Sequence, residues 1–369
     1  MTARVGVCRW GILGTAGIAR KNWQAIALAG NASLAAVASR SPERSRQFVA
    51  ECLAACPLPN VPAAVAGYGE LLSRSDVDAV YIPLPTGVRK EWVLEAANAG
   101  KHVLVEKPVG VGAEDVREML AACDRNGVQF MDGVMFMHSR RLEALRQTLD
   151  DGVSVGSVRR VAAQFSFNGS EDFLRDDIRL NSRLEPHGCL GDLGWYTLGF
   201  ALWVMKWELP THVSARTLAQ AGRPDSPDVV PIEMSGALVF RGGVSASFYC
   251  SFRTENQQWA NVSGTKGFVH VADFVLPFFG DETRFEVTNS VFQVTGCDFD
   301  LQRRTRRVSV PEYSNSHATA QEAGLFRTFS TLVTSGKRDP HWGDIALKTQ
   351  LVLDACSRSA REGREVSLT

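Results

Sequence analysis

The chain has no net charge, because 40 Lys and Arg residues balance 40 Asp and Glu. A balanced chain lacks the electrostatic footprint that binds nucleic acid. Its one basic cluster, Arg303-Arg304-Thr305-Arg306-Arg307, reads as a solvated loop and strand start, with a phosphate-binding patch as the alternative. No Cys-x-x-Cys spacing occurs among the eight cysteines; Cys52 and Cys56 are the nearest pair. That excludes the common zinc and dithiol motifs, and no metal site is expected. Scattered cysteines in a large domain read as small buried hydrophobes of a reducing compartment. No apolar run is long enough to cross a bilayer. Met1-Thr2-Ala3-Arg4-Val5 leads straight into a strand, which leaves no room for a signal peptide. A cytoplasmic protein is expected. Internal repeats and low-complexity linkers are also lacking.

What is present points to two domains, since 369 residues exceed one typical core. Residues 1–136 alternate strand and helix. Val5–Val7 with Trp10–Leu13, Ser33–Ala38, Ala79–Ile82, His102–Val105 and Gln129–Met131 read as strands. Ile18–Ala29, a segment from Ser41-Pro42-Glu43, Glu91–Ala99 and Ala113–Asn126 read as helices. Ser41 is a cap with proline at the first helical position; Gly100 and Gly127 are helix stops. The series is βαβ, hence a doubly wound parallel sheet. Residues 137–369 change pattern. Val244, Ala246, Phe248, Cys250 and Phe252 alternate with small polar residues, as on a half-buried strand. Further strands at 159–167, 234–240, 259–263, 268–271, 284–288 and 306–310 give an α+β domain around a mostly antiparallel sheet. Helices return at about 318–335 and 344–362. The sheet's small-residue outer face is either solvated or packed against a second subunit.

Gly14-Thr15-Ala16-Gly17-Ile18-Ala19 fits the dinucleotide fingerprint Gly-x-Gly-x-x-Gly/Ala with Ala16 at its second glycine. It follows a strand and opens a helix, whose free N–H groups and partial positive charge suit a pyrophosphate. The second strand ends at Ser39-Arg40, where an NAD-specific turn carries Asp or Glu on the ribose. A hydroxyl and a guanidinium, with Arg44 from the next helix, suit a 2′-phosphate. NADP is therefore preferred, with NAD the alternative. Ligands of open α/β sheets lie beyond the carboxyl ends of the strands. That rule places Pro83, Leu84 and Pro85, and then Glu106-Lys107-Pro108, beside the cofactor. Far along the chain, Asp192 and Tyr196 stand four apart in Gly191-Asp192-Leu193-Gly194-Trp195-Tyr196 and would share a helix face. They are either an acid–base pair or a helix cap and a core tyrosine. A free tyrosine titrates near pH 10, and an ammonium such as that of Lys107 would bring it down.

These motifs, with the Ser-Gly-Thr-Lys-Gly turn at Ser263–Gly267, resemble the glucose–fructose oxidoreductase / inositol 2-dehydrogenase / rhizopine-catabolism (Gfo/Idh/MocA) family. The similarity is greatest to its branch of dihydrodiol dehydrogenases and NADP-dependent sugar ketoreductases. The resemblance implies an N-terminal Rossmann domain followed by an α+β domain with an open, mostly antiparallel sheet. It implies a cis bond before Pro108, catalytic Lys107, Asp192 and Tyr196 as substrate-site partners, and an assembly through the C-terminal sheet. The implied reaction is hydride transfer between a nicotinamide and a hydroxyl- or carbonyl-bearing carbon of a sugar, polyol or cyclic diol. The sequence departs from the family pattern in places. Pro186-His187 replaces glycines, so His187 either reaches the substrate or sits on the pocket rim. Arg89 stands where relatives often have a histidine, which weakens that contact. His138 is a substrate-side candidate or a structural histidine. Arg179 either meets a substrate oxygen or forms a surface salt bridge. The rival to an enzyme is a dinucleotide-sensing regulator without turnover; a third reading keeps the cofactor bound and recycles it between two substrates.

Overall fold

A computed structural model describes residues 6–368; the expectations for Met1 to Val5 lie outside the described residues. The chain forms two compact units. The first holds the residues through His138 with Arg183–Pro186 and Asn315–Gln350; the second holds Ser139–Ser182, His187–Ser314 and Leu351 onward.

The first unit runs β1 (Cys8–Leu13), α1 (Gly17–Leu28), β2 (Ala32–Ser39), α2 (Pro42–Ala55), β3 (Ala63–Ala66), α3 (Tyr68–Leu72), β4 (Ala79–Ile82), α4 (Thr86–Asn98), β5 (His102–Val105), α5 (Ala113–Arg125) and β6 (Phe130–Asp132). Its six strands lie in the order β3-β2-β1-β4-β5-β6 and pair in parallel throughout. This is the dinucleotide-binding order, with the direction of winding reversing between β1 and β4. β1, β4 and β5 are buried almost throughout, so they are written as short apolar runs rather than alternations. Punctuation follows the sequence signals. The Ser41 hydroxyl accepts the Arg44 N–H at 3.3 Å with Pro42 opening α2, and Gly100 and Gly127 have positive φ where α4 and α5 stop.

The second unit contains α6 (Arg141–Asp150), β7 (Val158–Asn168), α7 (Glu171–Asp176), α8 (Trp195–Val204), β8 (His212–Ala221), β9 (Val230–Val239), β10 (Ser245–Ser251), β11 (Arg253–Gly264), β12 (Phe268–Val271), β13 (Glu282–Thr295) and β14 (Asp298–Pro311). The chain then adds α9 (Gln321–Ser335), α10 (His341–Glu362) and β15 (Val366–Ser367). The division between the units falls within α10. Helix α9 belongs to the first unit and covers its sheet. The Trp10 ring meets Phe326 at 4.9 Å and Phe329 at 5.1 Å, and its indole N–H donates to Ser330 Oγ at 3.0 Å. Such aromatic pairs contribute about 0.5–1.5 kcal/mol beyond the area they bury.

The sheet of the second unit has nine strands in the order β14-β13-β12-β11-β7-β10-β9-β8-β15, all antiparallel except β7 with β10. The alternation read at 244–252 is present: Ala246, Phe248 and Cys250 are buried while Ser245, Ser247 and Tyr249 are half-buried on the open face. Every residue of α8 is buried. One charged pair lies in the core. Arg141 and Asp273, 2% and 6% exposed, meet at 2.5 Å, and the guanidinium also reaches the Asp273 and Arg284 carbonyls. A buried pair survives only when its remaining hydrogen-bonding capacity is filled in this way.

The basic cluster at Arg303–Arg307 lies inside β14, not in a loop. The strands expected at 284–288 and 306–310 are each the inner end of a much longer hairpin arm. Their outer parts have no buried face, so period-two hydrophobicity could not mark them. Among the described residues no helix is long and apolar enough to span a membrane, and no group of three His, Cys, Asp or Glu is placed to hold a metal ion.

Candidate active site

In the first unit the fingerprint turn leaves the carboxyl end of β1. Gly14 has φ +117°, and a Cβ there would come within 3.1 Å of the Leu84 side chain, so both conformation and space require glycine. Thr15 and Ala16 are half-exposed, and Ala16 caps α1 in an extended conformation without a side-chain bond. Gly17 is exposed and a Cβ there would meet nothing within 4 Å. Ile18 is half-buried and Ala19 buried beneath it. The first turn of α1 carries no acidic residue, so its N-terminal field is uncompensated. An open, glycine-floored helix start of this kind fits a dinucleotide pyrophosphate.

At the end of β2, Ser39 is buried and its Oγ accepts the Ser41 N–H at 3.4 Å. Arg40 and Arg44 are both exposed. Burial raises the pKa of Tyr68, and the two guanidinium groups oppose that shift, so both lie within electrostatic reach of one phenol. Tyr68 was not singled out from the sequence. It follows β3, the next strand of the sheet, and its ring packs edge-on to Trp92 at 4.8 Å.

The loops after β4 and β5 are tied together from below. Arg89 is buried, and its Nε and Nη2 donate to the Leu84 carbonyl at 2.9 and 2.6 Å. Its Nη1 donates to the Glu106 carbonyl at 2.6 Å and also to the Pro108 carbonyl. One side chain therefore holds the Pro83-Leu84-Pro85 segment and both flanks of Lys107. The Lys107–Pro108 peptide is cis. The Glu106 carboxylate accepts the Tyr81 hydroxyl at 2.5 Å through Oε1 and the Lys107 N–H at 3.3 Å through Oε2. Burial, and then the neighbouring Glu106 carboxylate, push the Tyr81 pKa far up, so this phenol stays a donor. Gly133 lines the same carboxylate, since a Cβ there would sit 3.1 Å from Oε1. Glu185 closes the start of α4: its carboxylate accepts the Thr86 N–H at 3.1 Å and the Thr86 hydroxyl at 2.6 Å. At Gly87 a Cβ would come within 1.8 Å of the Arg183 carbonyl. Tyr81 and Glu185 also escaped the sequence reading. A hydroxyl within the fully apolar run Ala79-Val80-Tyr81-Ile82 was the available signal, because a buried hydroxyl needs a partner.

His138 stacks on Trp342, with ring centroids 4.8 Å apart and planes 16° apart. Burial drives its pKa down to about 3, so it is neutral. The ring is engaged in packing within the first unit.

In the second unit the chain from His187 to Tyr196 turns on glycines. Gly188 has φ +47° and passes so close to Pro231 that a Cβ would lie 2.1 Å from its carbonyl oxygen. The half-buried His187 presents its carbonyl to the N–H groups of Leu190 and Gly191. Leu190–Gly194 then forms one π turn, and Tyr196 stands in the first turn of α8. The sequence spacing predicted a regular helix; π turns of this kind often occur at functional sites. Gly194 is packed on Leu190 and Cys250. Asp192 is half-buried on the π turn and forms an ion pair with Arg179 Nε at 2.8 Å. Tyr196 is 5% exposed, with its ring edge-on to Phe165 at 5.6 Å.

The chain matches two family models. Residues 8–134 match the oxidoreductase family with an NAD-binding Rossmann fold, and residues 142–270 match the GFO/IDH/MocA C-terminal domain. It is 33% identical to D-xylose 1-dehydrogenase (NADP(+)) 2 of Haloferax volcanii over 70% of this chain and 74% of that one. It is 32% identical to the trans-1,2-dihydrobenzene-1,2-diol dehydrogenase of Mus musculus over 73% and 76% of the two chains. A 3-ketoreductase from Actinomadura kijaniata, solved in complex with NADP and TDP-benzene, superposes with a TM-score of 0.79 at 25% identity, covering 96% of this chain and 98% of that one. A doubly wound dinucleotide unit, an open antiparallel sheet and these matches lead to one conclusion: the chain belongs to the Gfo/Idh/MocA oxidoreductase family and is an NAD(P)-dependent oxidoreductase.

Proposed function

We propose that the chain transfers a hydride between NADP and the hydroxyl- or carbonyl-bearing carbon of a sugar, polyol or cyclic diol. The observation that carries the cofactor choice is the exposed pair of Arg40, at the end of β2, and Arg44, in the first turn of α2. Ser39-Arg40 stands where an NAD-specific turn carries a carboxylate. The substrate class rests on the relatives, which include a xylose dehydrogenase, a dihydrodiol dehydrogenase and a 3-ketoreductase.

When bound, the nicotinamide supplies the hydride acceptor or donor. In the oxidative direction Tyr196 takes the hydroxyl proton as the C–H hydride leaves. Lys107 stabilises the negative charge developing on the oxygen. Asp192 orients the substrate through a neighbouring hydroxyl, with Arg179 holding the carboxylate. His187 lies beside that turn as a further substrate contact. The fingerprint residues Gly14 to Ala19, with Leu84 and Glu106, line the cofactor side. The free, mostly buried cysteines support a reducing, cytoplasmic setting. The small-residue open face of the second unit's sheet supports a homo-oligomer, a dimer in its simplest form.

Fluorescence titration with NADPH and NADH tests this reading. NADPH binds more tightly to the native chain, and Arg40→Ala weakens NADPH about tenfold while leaving NADH unchanged, as expected for one charge-assisted phosphate contact. Equal affinity for both cofactors would remove the NADP assignment.

A further inference from the structure

β13 and β14 continue beyond the sheet. β12 pairs with β13 only from Phe268↔Thr288 to His270↔Glu286, whereas the β13–β14 pairing runs out to Thr295↔Asp298. The outer pairs, from Ser290↔Arg303 onward, form a two-stranded ribbon with no third strand among the described residues. Ribbons of this kind are marginal in water and need another strand or a cover. One face of the ribbon carries Phe292, Val294, Phe299 and Leu301, which are 60%, 54%, 71% and 69% exposed.

β14 is also the end strand of the nine-stranded sheet, so among the described residues its outer N–H and C=O groups meet no strand over Asp298–Pro311. Natural edges are blunted by charged side chains, proline, bulges or short length, and on β14 charge is the main guard. Here the strand is 14 residues long and proline comes only at its last position. The charges along it have an order. On one face lie Asp298, Asp300, Gln302, Arg304 and Arg306, and neither aspartate has an ion-pair partner among the described residues. A two-fold axis through Gln302, normal to the sheet, would set Asp298 against Arg306 of a second copy and Asp300 against Arg304. Moving the axis to 301 or 303 leaves only one of the two acids opposite an arginine. On the other face the same register brings the two Leu301 side chains diagonally together and lays the stem of Arg303 over each.

We propose that β14 pairs antiparallel with β14 of a second copy of this chain, about a two-fold axis at Gln302, so that the two sheets continue through the dimer. This inference keeps the homo-oligomer reading but puts the dimer contact at the β14 edge in place of the open face of the sheet, and it does not depend on the hydride-transfer reading. The test is the oligomeric state of the full chain by size-exclusion chromatography with light scattering. The native chain is expected to be dimeric. Asp300→Arg and Arg304→Asp, each of which sets like charges opposite each other, are expected to weaken dimerisation about tenfold or more. The double exchange Asp300→Arg/Arg304→Asp is expected to restore it. Both sites are exposed, and unchanged NADPH binding shows that the variants remain folded. A monomeric native chain would overturn both the homo-oligomer reading and the register. A dimer indifferent to both single changes, or single losses that the double exchange fails to repair, would overturn the β14 pairing alone.

Discussion

Arg179 Nε lies 2.8 Å from Asp192 Oδ2, while its Nη1 lies 3.1 Å from Asp177 Oδ1. The arginine bridges a short 3-10 turn and the π turn of the second unit. Its side chain is 39% exposed and that of Asp192 only 14%. The pair sets the direction of a carboxylate more than it adds stability. Arg179→Met should therefore lower kcat/KM several-fold to about tenfold, the scale of one charge-assisted hydrogen bond. The melting temperature and NADPH affinity should hardly move. Steady-state kinetics beside a cofactor titration separates these effects.

Lys107→Ala should reduce kcat by about a hundred- to ten-thousand-fold, the usual contribution of a proton-transfer or charge-stabilising group. NADPH binding should persist, because the backbone around residue 107 is held by Arg89 and Glu106. Turnover close to native in this variant would remove the lysine from the chemistry.

Arg89→Met should act on stability and turnover together. It strips the donor from three carbonyls, those of Leu84, Glu106 and Pro108. Each buried acceptor left without a donor costs about 1–3 kcal/mol. Arg89→Lys supplies a charge but not the planar fork, so it should recover part of the stability and less of kcat. Denaturant unfolding and kcat measured on both variants check this order.

His138 gives a pH dependence with a definite sign. Burial lowers its folded pKa from 6.5 to about 3. Between those values the unfolded chain binds a proton that the folded chain does not. Stability from this group is complete above pH 6.5 and is lost progressively as pH falls towards 3. His138→Gln should flatten the stability–pH curve in that window, by at most about 1.4 kcal/mol per pH unit. Urea unfolding between pH 4 and 7 makes the comparison.

Much of the first unit was legible because each of its signals is local. Buried parallel strands announce themselves as short apolar runs, and serine, proline and glycine mark the helix ends. The fingerprint glycines and Glu106-Lys107-Pro108 needed only their positions after strands. β3, α3, α6, α7 and β8 were not read from the sequence; around the candidate site, what escaped was non-local. Tyr68 and Tyr81 draw their meaning from Arg40 and Arg44 in one case and Glu106 in the other. Glu185 meets Thr86 across 99 residues of chain. Arg89 could be noticed as a departure from the family pattern, yet its three carbonyl partners are visible only in the fold. The π turn at Leu190–Gly194 is equally silent, and the close approach of Gly188 to Pro231 beside it is visible only in the fold. The outer hairpin lay beyond reach for the opposite reason: with both faces wet, no hydrophobic period records it.

The polypeptide passes between its two units five times, at residues 138/139, 182/183, 186/187, 314/315 and 350/351. A severed fragment ending near residue 136 would keep every strand of the parallel sheet. It would lose Phe326, Phe329 and Ser330, which cover Trp10, and the Glu185 carboxylate that closes α4. Such a piece should be insoluble or only partly ordered. Neither unit is a module that recombination could lift out with one cut and graft elsewhere. Gene fusions and circular permutations that respect this threading must open the chain at exposed loops within a unit, and the fold is inherited as a whole.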